Sequence, residues 1–217
     1  MTVPDRSIET LPALDYEAMR AALRTGDVLL CSGTQIFSRV IRWATRSPWS
    51  HVAMVLRLDL LDEVMIIEAV EHYGVRLIPF HRWLTENKTK ARVFPGDLVV
   101  ARHRRFEERA QGEAMRHLGK FATSRLGTPF GAGEIVKIMV RIVAGHWNRR
   151  MPRLLRSDDE FICSEFLYRC YQQIGIEIPW NGLGFIGPDA FAKDPEFDPV
   201  VRLAHHAFDD DHPVNVR

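Results

Sequence analysis

Three side chains have the types that acyl-transfer chemistry needs. Cys163 stands in Phe161-Ile162-Cys163-Ser164-Glu165-Phe166-Leu167, behind the polar lead-in Arg156-Ser157-Asp158-Asp159-Glu160. Ile162, Phe166, Cys170 and Ile174 recur at helical spacing, which predicts an amphipathic helix running to about Gly175 with the thiol at its start. At that position backbone N–H groups and the helix dipole favour a thiolate. A cysteine in such a helix is, on its own, more often a small buried hydrophobe. A nucleophilic thiol needs a base that takes its proton and a polar group that orients the base.

His51 is the leading base. It follows Ser47-Pro48-Trp49-Ser50 and opens the apolar run Val52-Ala53-Met54-Val55-Leu56, so it can face a cleft while the strand behind it stays packed. Glu68 interrupts Val64-Met65-Ile66-Ile67 and Ala69-Val70, and a carboxylate in a buried strand is costly unless paired. If the intervening turn centres on Asp59-Leu60, Glu68 falls opposite His51 with Cβ atoms ~5 Å apart. A shift of one residue makes the pair diagonal or sets Glu71 opposite instead. Both glutamates therefore stand as the third member. The plainer roles are a hydrogen-bonded rim histidine and an edge-strand carboxylate in water.

The elements that must position these groups are legible in outline. Residues 1–14 are punctuated by proline and read as a loosely held arm. Asp15 to Leu23 reads as a short helix, and Gly26-Asp27-Val28-Leu29-Leu30-Cys31 as a turn and a buried strand. Gln35 to Ala44 has helical period up to a break at Thr45–Pro48. Ser50–Leu58 and Val64–Val70 read as strands, joined by Asp59-Leu60-Leu61-Asp62-Glu63. One helical turn is expected at His81–Thr85 and further strands at Ala91–Val93 and Leu98–Arg102. Phe106–Leu126 reads as the longest helix, stopped by Gly127-Thr128-Pro129, with a second at Glu134–Ala144. Residues 193–217 read as a tail, after a short helix near Asp189-Ala190-Phe191. Strands early and helices late indicate an α+β class in one domain.

Composition narrows the function classes. The chain has 217 residues, 46% hydrophobic and 26% charged, with a net charge of +1. That is a globular composition with ample core, and no dense basic run interleaved with aromatics points to nucleic acid. Cys31, Cys163 and Cys170 cannot all pair within the chain, and two share one expected helix, so a reducing compartment fits. No signal-peptide core and no spanning apolar run is present, so the cytoplasm is the expected location.

The ordered set of motifs resembles a known group. Gly26-Asp27-Val28-Leu29, then Ala44-Thr45-Arg46-Ser47-Pro48-Trp49-Ser50-His51-Val52, resembles the opening signature of permuted papain-like hydrolases. Glu68-Ala69, Gly127-Thr128-Pro129-Phe130, Phe161-Ile162-Cys163-Ser164-Glu165 and Gly187-Pro188-Asp189 continue it in order. The set, over residues 26–192, looks like the YiiX/YebB-like branch of the NlpC-type superfamily, related to the lecithin retinol acyltransferase fold. The resemblance implies a circularly permuted papain-like α+β fold, a small antiparallel sheet or barrel packed against helices. It implies Cys163 as nucleophile, His51 as general base and Glu68 as the polar third member. Where relatives often show Tyr-Asp after the Gly-x-Pro, this chain has Phe130-Gly131, so a hydroxyl or carboxylate contact is not expected there.

The expected activity is a cysteine hydrolase acting on an amide bond of a small peptide, aminoacyl or acyl amide through a thioester. The alternatives are a lipid acyltransferase or thioesterase with the same triad, and a non-catalytic ligand-binding module. Ser50, Ser164, Phe130 and Trp49 are candidate substrate contacts. No cofactor or metal is expected, since Cys163, His51 and Glu68 lack the short two-ligand spacing of zinc sites. His205-His206 with Asp209-Asp210-Asp211-His212 reads as a solvated tail, and Cys31 and Cys170 as core. The basic amphipathic segment 137–156 reads first as a helix with a solvated basic face; the alternatives are contact with an anionic membrane or guidance of an acidic substrate. Oligomeric state is not legible.

Overall fold

In the computed structural model, the described residues are 8–33, 36–87, 94, 96–131, 133, 160–180 and 185–204. The strand expected at 91–93, the helix at 134–144, the basic segment 137–156 and the histidine-rich tail lie outside them. In chain order the elements are β1 (Ala13–Leu14), α1 (Tyr16–Ala22), β2 (Val28–Cys31), α2 (Ile36–Thr45), β3 (His51–Leu58), β4 (Glu63–Val70), β5 (Gly74–Pro79), α3 (Phe80–Asn87), β6 (Leu98–His103), α4 (Phe106–Arg109), α5 (Gly112–Ser124), α6 (Cys163–Gln172), α7 (Pro188–Lys193) and β7 (Phe197–Leu203).

One seven-stranded sheet organises them, in the order β1-β7-β6-β2-β3-β4-β5. Its neighbours run antiparallel except β1 and β7. The strand sequences VLLC and VAMV are apolar without alternation because both faces of the sheet are covered. On one face Val28, Leu30, Val52, Met54, Ile67 and Ala69 pack with residues of α5, α6 and α7. On the other, Leu29, Ala53, Val55, Val64 and Ile66 pack with α1 and α3. Among the described residues no helix is long and apolar enough to cross a membrane.

Several boundaries differ from expectation. The helix expected over 106–126 is divided: Gln111 is extended and Gly112 takes φ +50, which ends α4 and restarts the chain as α5. Strand β5 follows β4 directly through a three-residue turn, where no strand was expected. Residues 197–203, assigned to a tail, form β7 inside the sheet, and Ala13–Leu14 of the arm pairs with it. Ile8 of the same arm is buried in the core. Pro199 obscures β7 in the sequence, since it cannot donate to a ladder. The sheet accommodates it with a bulge, the register shifting between Val100 and Ala101 so that Val201 and Pro199 are the paired positions.

Two motifs serve this frame. Asp27 is buried and receives both Nε and a terminal nitrogen of Arg102 at 2.7 Å, together with the Arg24 N–H at 2.8 Å. Tyr171 on α6 donates its hydroxyl to the Gly26 carbonyl at 2.6 Å, fixing the helix against that turn. The Gly-Thr-Pro motif is a connector. Gly127 donates to the Val75 carbonyl and Thr128 accepts from the Val75 N–H, at 2.8 and 2.9 Å. Two residues on, Phe161 donates to Pro129 and Gly131 to Phe161, both at 3.0 Å. The segment thus ties the start of β5 to the residue two places before Cys163.

Candidate active site

Cys163 is the first residue of α6, and the N-cap residue Ile162 is extended with no side-chain cap. A helix start without a capping oxygen leaves its first N–H groups for another acceptor. Here that acceptor is the Cys163 sulfur, which takes hydrogen bonds from the backbone of Ser164 and Val52. The helix is buried nearly all round rather than amphipathic, with Cys163 through Tyr168, Cys170 and Tyr171 all buried.

His51 opens β3, paired with Cys31 of β2. Parity along the strands places His51 with Ala53 and Val55 on the α3 side, while α6 packs on the other. Cys163 and His51 meet at the end of β3, where the sheet face stops, and a hydrogen bond joins them. His51 Nε2 lies 2.7 Å from Glu68 Oε2, so Nδ1 is the ring nitrogen left for the thiol. The His51 side chain is 23% exposed and that of Glu68 2%.

The pairing of His51 with Glu68 is diagonal, not direct. Leu58 pairs with Glu63 across a four-residue turn that centres on Leu60–Leu61, one residue later than expected. Continued to the mouth of the hairpin, this register sets Val70 opposite His51 and Glu68 two residues away on the same face. A diagonal gap of ~7–8 Å between Cα atoms is within reach of a glutamate. Glu71 lies exposed in the β4–β5 turn.

Glu68 is held on every side. Arg76, its direct partner on β5, donates from Nε to Oε1 at 2.8 Å, and one of its terminal nitrogens forms an ion pair with the same oxygen at 2.7 Å. Trp83 Nε1 on α3 donates to Oε2 at 2.9 Å. Arg76 and Trp83 were not expected at the site. The available signals were an arginine interrupting Val75–Ile78 and a tryptophan soon after it.

The electrostatics follow from these contacts. Burial acts to raise Glu68, but the His51 bond and charge, then Arg76 and Trp83, outweigh it and bring the carboxyl down to about 2. For His51 burial acts downward, yet the charge of Cys163, the bond to it and the Glu68 contacts raise the imidazole to about 10. Burial likewise opposes the Cys163 thiolate, and the charge and hydrogen bond of His51 with the two backbone N–H groups lower the thiol below its usual value. The two shifts run in the directions that favour a thiolate–imidazolium pair over a neutral thiol and imidazole.

The other expected contacts serve the scaffold. Ser50 is buried, accepting from the Gly33 N–H at 2.8 Å and donating to the Cys31 carbonyl at 3.2 Å. Ser164 is buried and donates to the Ile186 carbonyl at 2.7 Å, just before the Gly187-Pro188-Asp189 start of α7. Trp49 is buried in the same core as Cys163. Its indole nitrogen has no hydrogen-bond partner among the described residues. Phe130 is partly buried and forms a parallel bridge with Phe161.

Comparison with known proteins places this arrangement. No curated protein matches the chain by sequence. The fold is similar to the crystal structure of yiiX from Escherichia coli O157:H7, described as a metalloprotein, with a TM-score of 0.55 and 20% identity over 82% of this chain and 97% of that one. In this chain both Glu68 oxygens already accept from N–H donors, and the described residues include no group of three or more His, Cys, Asp and Glu able to hold a metal ion. Residues 22–183 match the permuted papain-like amidase enzymes, YaeF/YiiX, of the C92 family, and the chain belongs to that family.

Proposed function

We propose that the chain is a cysteine-dependent amidase in which Cys163 is the nucleophile, His51 the general base and acid, and Glu68 the group that orients His51. The observation that carries this reading is the continuous line of hydrogen bonds from the Cys163 sulfur at the start of α6 through His51 to Glu68.

In the first half-reaction the Cys163 thiolate adds to the substrate carbonyl carbon and a C–S bond forms. The carbonyl oxygen becomes an oxyanion, for which the Cys163 backbone N–H at the helix terminus is one donor. Collapse breaks the C–N bond while His51 gives its Nδ1 proton to the departing amine. Water then attacks the thioester, His51 takes a proton from it, the C–S bond breaks, and the thiolate–imidazolium pair returns. Glu68 accepts from Nε2–H throughout, keeping Nδ1 towards the sulfur. Small peptides, aminoacyl amides and acyl amides are the substrate classes proposed.

The test is the pH profile of Cys163 alkylation by iodoacetamide, followed on the Cys163 peptide by mass spectrometry. The parent protein should alkylate well below pH 8, and His51→Ala should lose that reactivity. Amide and ester activity-based probes, with and without anionic vesicles, then separate amidase from lipid acyl transfer. A parent profile typical of an ordinary thiol and unchanged by His51→Ala would sink both.

A further inference from the structure

A carboxylate offers about four acceptor sites, two per oxygen. In Glu68 both oxygens are engaged: Oε1 by the Arg76 Nε hydrogen bond and the ion-pair contact of an Arg76 terminal nitrogen, and Oε2 by Trp83 and His51. Arg76 and Trp83 thus hold the carboxylate from the scaffold side, and the remaining hydrogen bond is the one to the His51 ring. Arg76 is itself fixed. Its remaining terminal nitrogen donates to Glu86 on α3 at 2.8 Å, and the Tyr73 ring lies 4.7 Å from the guanidinium. Glu86 sits three residues after Trp83 on α3, so one short helix holds both the indole and the anchor of the arginine.

We propose that Arg76 and Trp83 are positioning residues that lock the Glu68 carboxylate in one orientation, so that His51 presents Nδ1 to Cys163. This rests on the Cys163–His51 reading given above. A buried carboxylate with only His51 for company has two equivalent oxygens and a torsion free to turn, and it can relieve its burial by taking a proton. The Arg76 fork supplies the compensating charge in a planar, bidentate geometry that lysine lacks. Trp83 selects which edge of the second oxygen stays open. The result is an alternation of charge from Cys163 through His51, Glu68 and Arg76 to Glu86.

Among the described residues, the groups facing the relay are few. His51 is faced by Cys163 from α6, Glu68 from β4 and Cys31 from β2; Glu68 is faced by His51, by Arg76 from β5, and by Trp83 with Glu86 behind it on α3. With Glu68 locked, the thiolate–imidazolium pair spans a wide pH window, with a lower limb set by the thiol and an upper limb by the imidazole. Loss of the lock moves both limbs inward.

The experiment compares the full-length parent with Arg76→Met, Arg76→Lys and Trp83→Phe, reading Cys163 alkylation against pH and the His51 ring nitrogen shifts by NMR. Arg76→Met is expected to narrow the window by about one pH unit or more. Trp83→Phe, which keeps the ring and removes the N–H, should move both limbs the same way by less, and Arg76→Lys should fall between Arg76→Met and the parent. Limbs and His51 shifts that stay in place while the melting temperature falls would reduce both residues to a structural role and overturn the proposal. A His51 titration that rises in Arg76→Met would do the same, marking Arg76 as a competing charge. If the parent shows no thiolate at low pH, the amidase reading fails by itself. The His51 shifts then still decide the positioning role, by moving or not moving in the variants. Should Arg76→Met not fold, Trp83→Phe and Arg76→Lys carry the decision.

Discussion

Cys163 and Cys170 lie on the same helix, both buried, yet their surroundings drive them apart. Burial pushes the Cys170 thiol up with nothing to oppose it, and pushes Cys31 up with Glu68 and Cys163 adding to the effect. Only Cys163 has a cation and two N–H groups to outweigh the same burial. Near neutral pH an alkylating reagent should therefore label Cys163 alone among the three, and in His51→Ala its thiol should titrate above the ordinary value, because burial is then the dominant influence. Glu68 carries a second prediction. Its carboxyl lies near 2 in the folded protein against 4.5 when unperturbed, so its stabilising contribution is complete above about 4.5 and is lost as the pH falls through about 2. His51, raised to about 10, contributes fully below about 6.5 and loses that contribution as the pH rises through about 10. Urea denaturation of the parent across the acid range should show stability falling in the first window, and Glu68→Gln should flatten that fall. A parent and variant with parallel curves would remove Glu68 from the acid limb. The residue types of the proposed triad were readable because each broke a pattern: a thiol opening a helix, an imidazole opening a strand, a carboxylate inside apolar neighbours. Arg76 broke its pattern as clearly, but it acts on Glu68 through a strand pairing that only the folded sheet displays.

At the scale of elements, the loop at 127–131 ties the segment leading into the Cys163 helix to the start of β5. Gly74 begins β5 at φ +67, and a Cβ there would run into the Thr128 carbonyl. Gly127 at φ +81 has open space around it. Alanine at either site incurs the left-handed backbone cost of ~1–2 kcal/mol. Only Gly74→Ala must also push away the loop that pairs with Val75 and, through Pro129, with Phe161. Thermal unfolding should place Gly74→Ala several degrees below the parent and clearly below Gly127→Ala; equal losses would mean the connector yields without strain. The sequence showed this loop as a helix stop, which it is. Its second role, joining β5 to residue 161, depends on hydrogen bonds between segments more than thirty residues apart, and local pattern carries no trace of them. For the same reason the hairpin register stayed open by one turn residue: the 3₁₀ turn at Asp59–Leu61 and the left-handed Asp62 set its centre, and apolar neighbours on both strands offered no alternation to fix it.

For the whole molecule, the chain closes its sheet with a strand that local pattern hides. β7 inserts between β1 and β6, so the last described element and the first share one edge, and the sheet that carries His51 and Glu68 is completed from both ends. Its residues feed both cores. Phe197 packs edge-on to His103 at 4.9 Å and against Tyr171 at 5.7 Å and Phe191 at 5.8 Å, while Val201 and Leu203 join the core beneath α1. Tyr171 lies two turns along α6 from Cys163, so the packing of β7 supports the helix that presents Cys163. Loss of these three buried side chains removes roughly 2 kcal/mol each, about 6 kcal/mol in sum, from a total that for most domains is only ~5–15 kcal/mol. It would also strip the β6 edge of its ladder and bare an apolar strand to other chains. A chain ended at Asp194 should therefore aggregate or lose cooperative unfolding, whereas one ended at Ala204, which keeps β7, should melt as one unit and retain low-pH alkylation of Cys163. Cooperative melting of the shorter chain, with its thiol still reactive, would show that residues 1–194 are self-sufficient and that β7 is an accessory to the amidase fold.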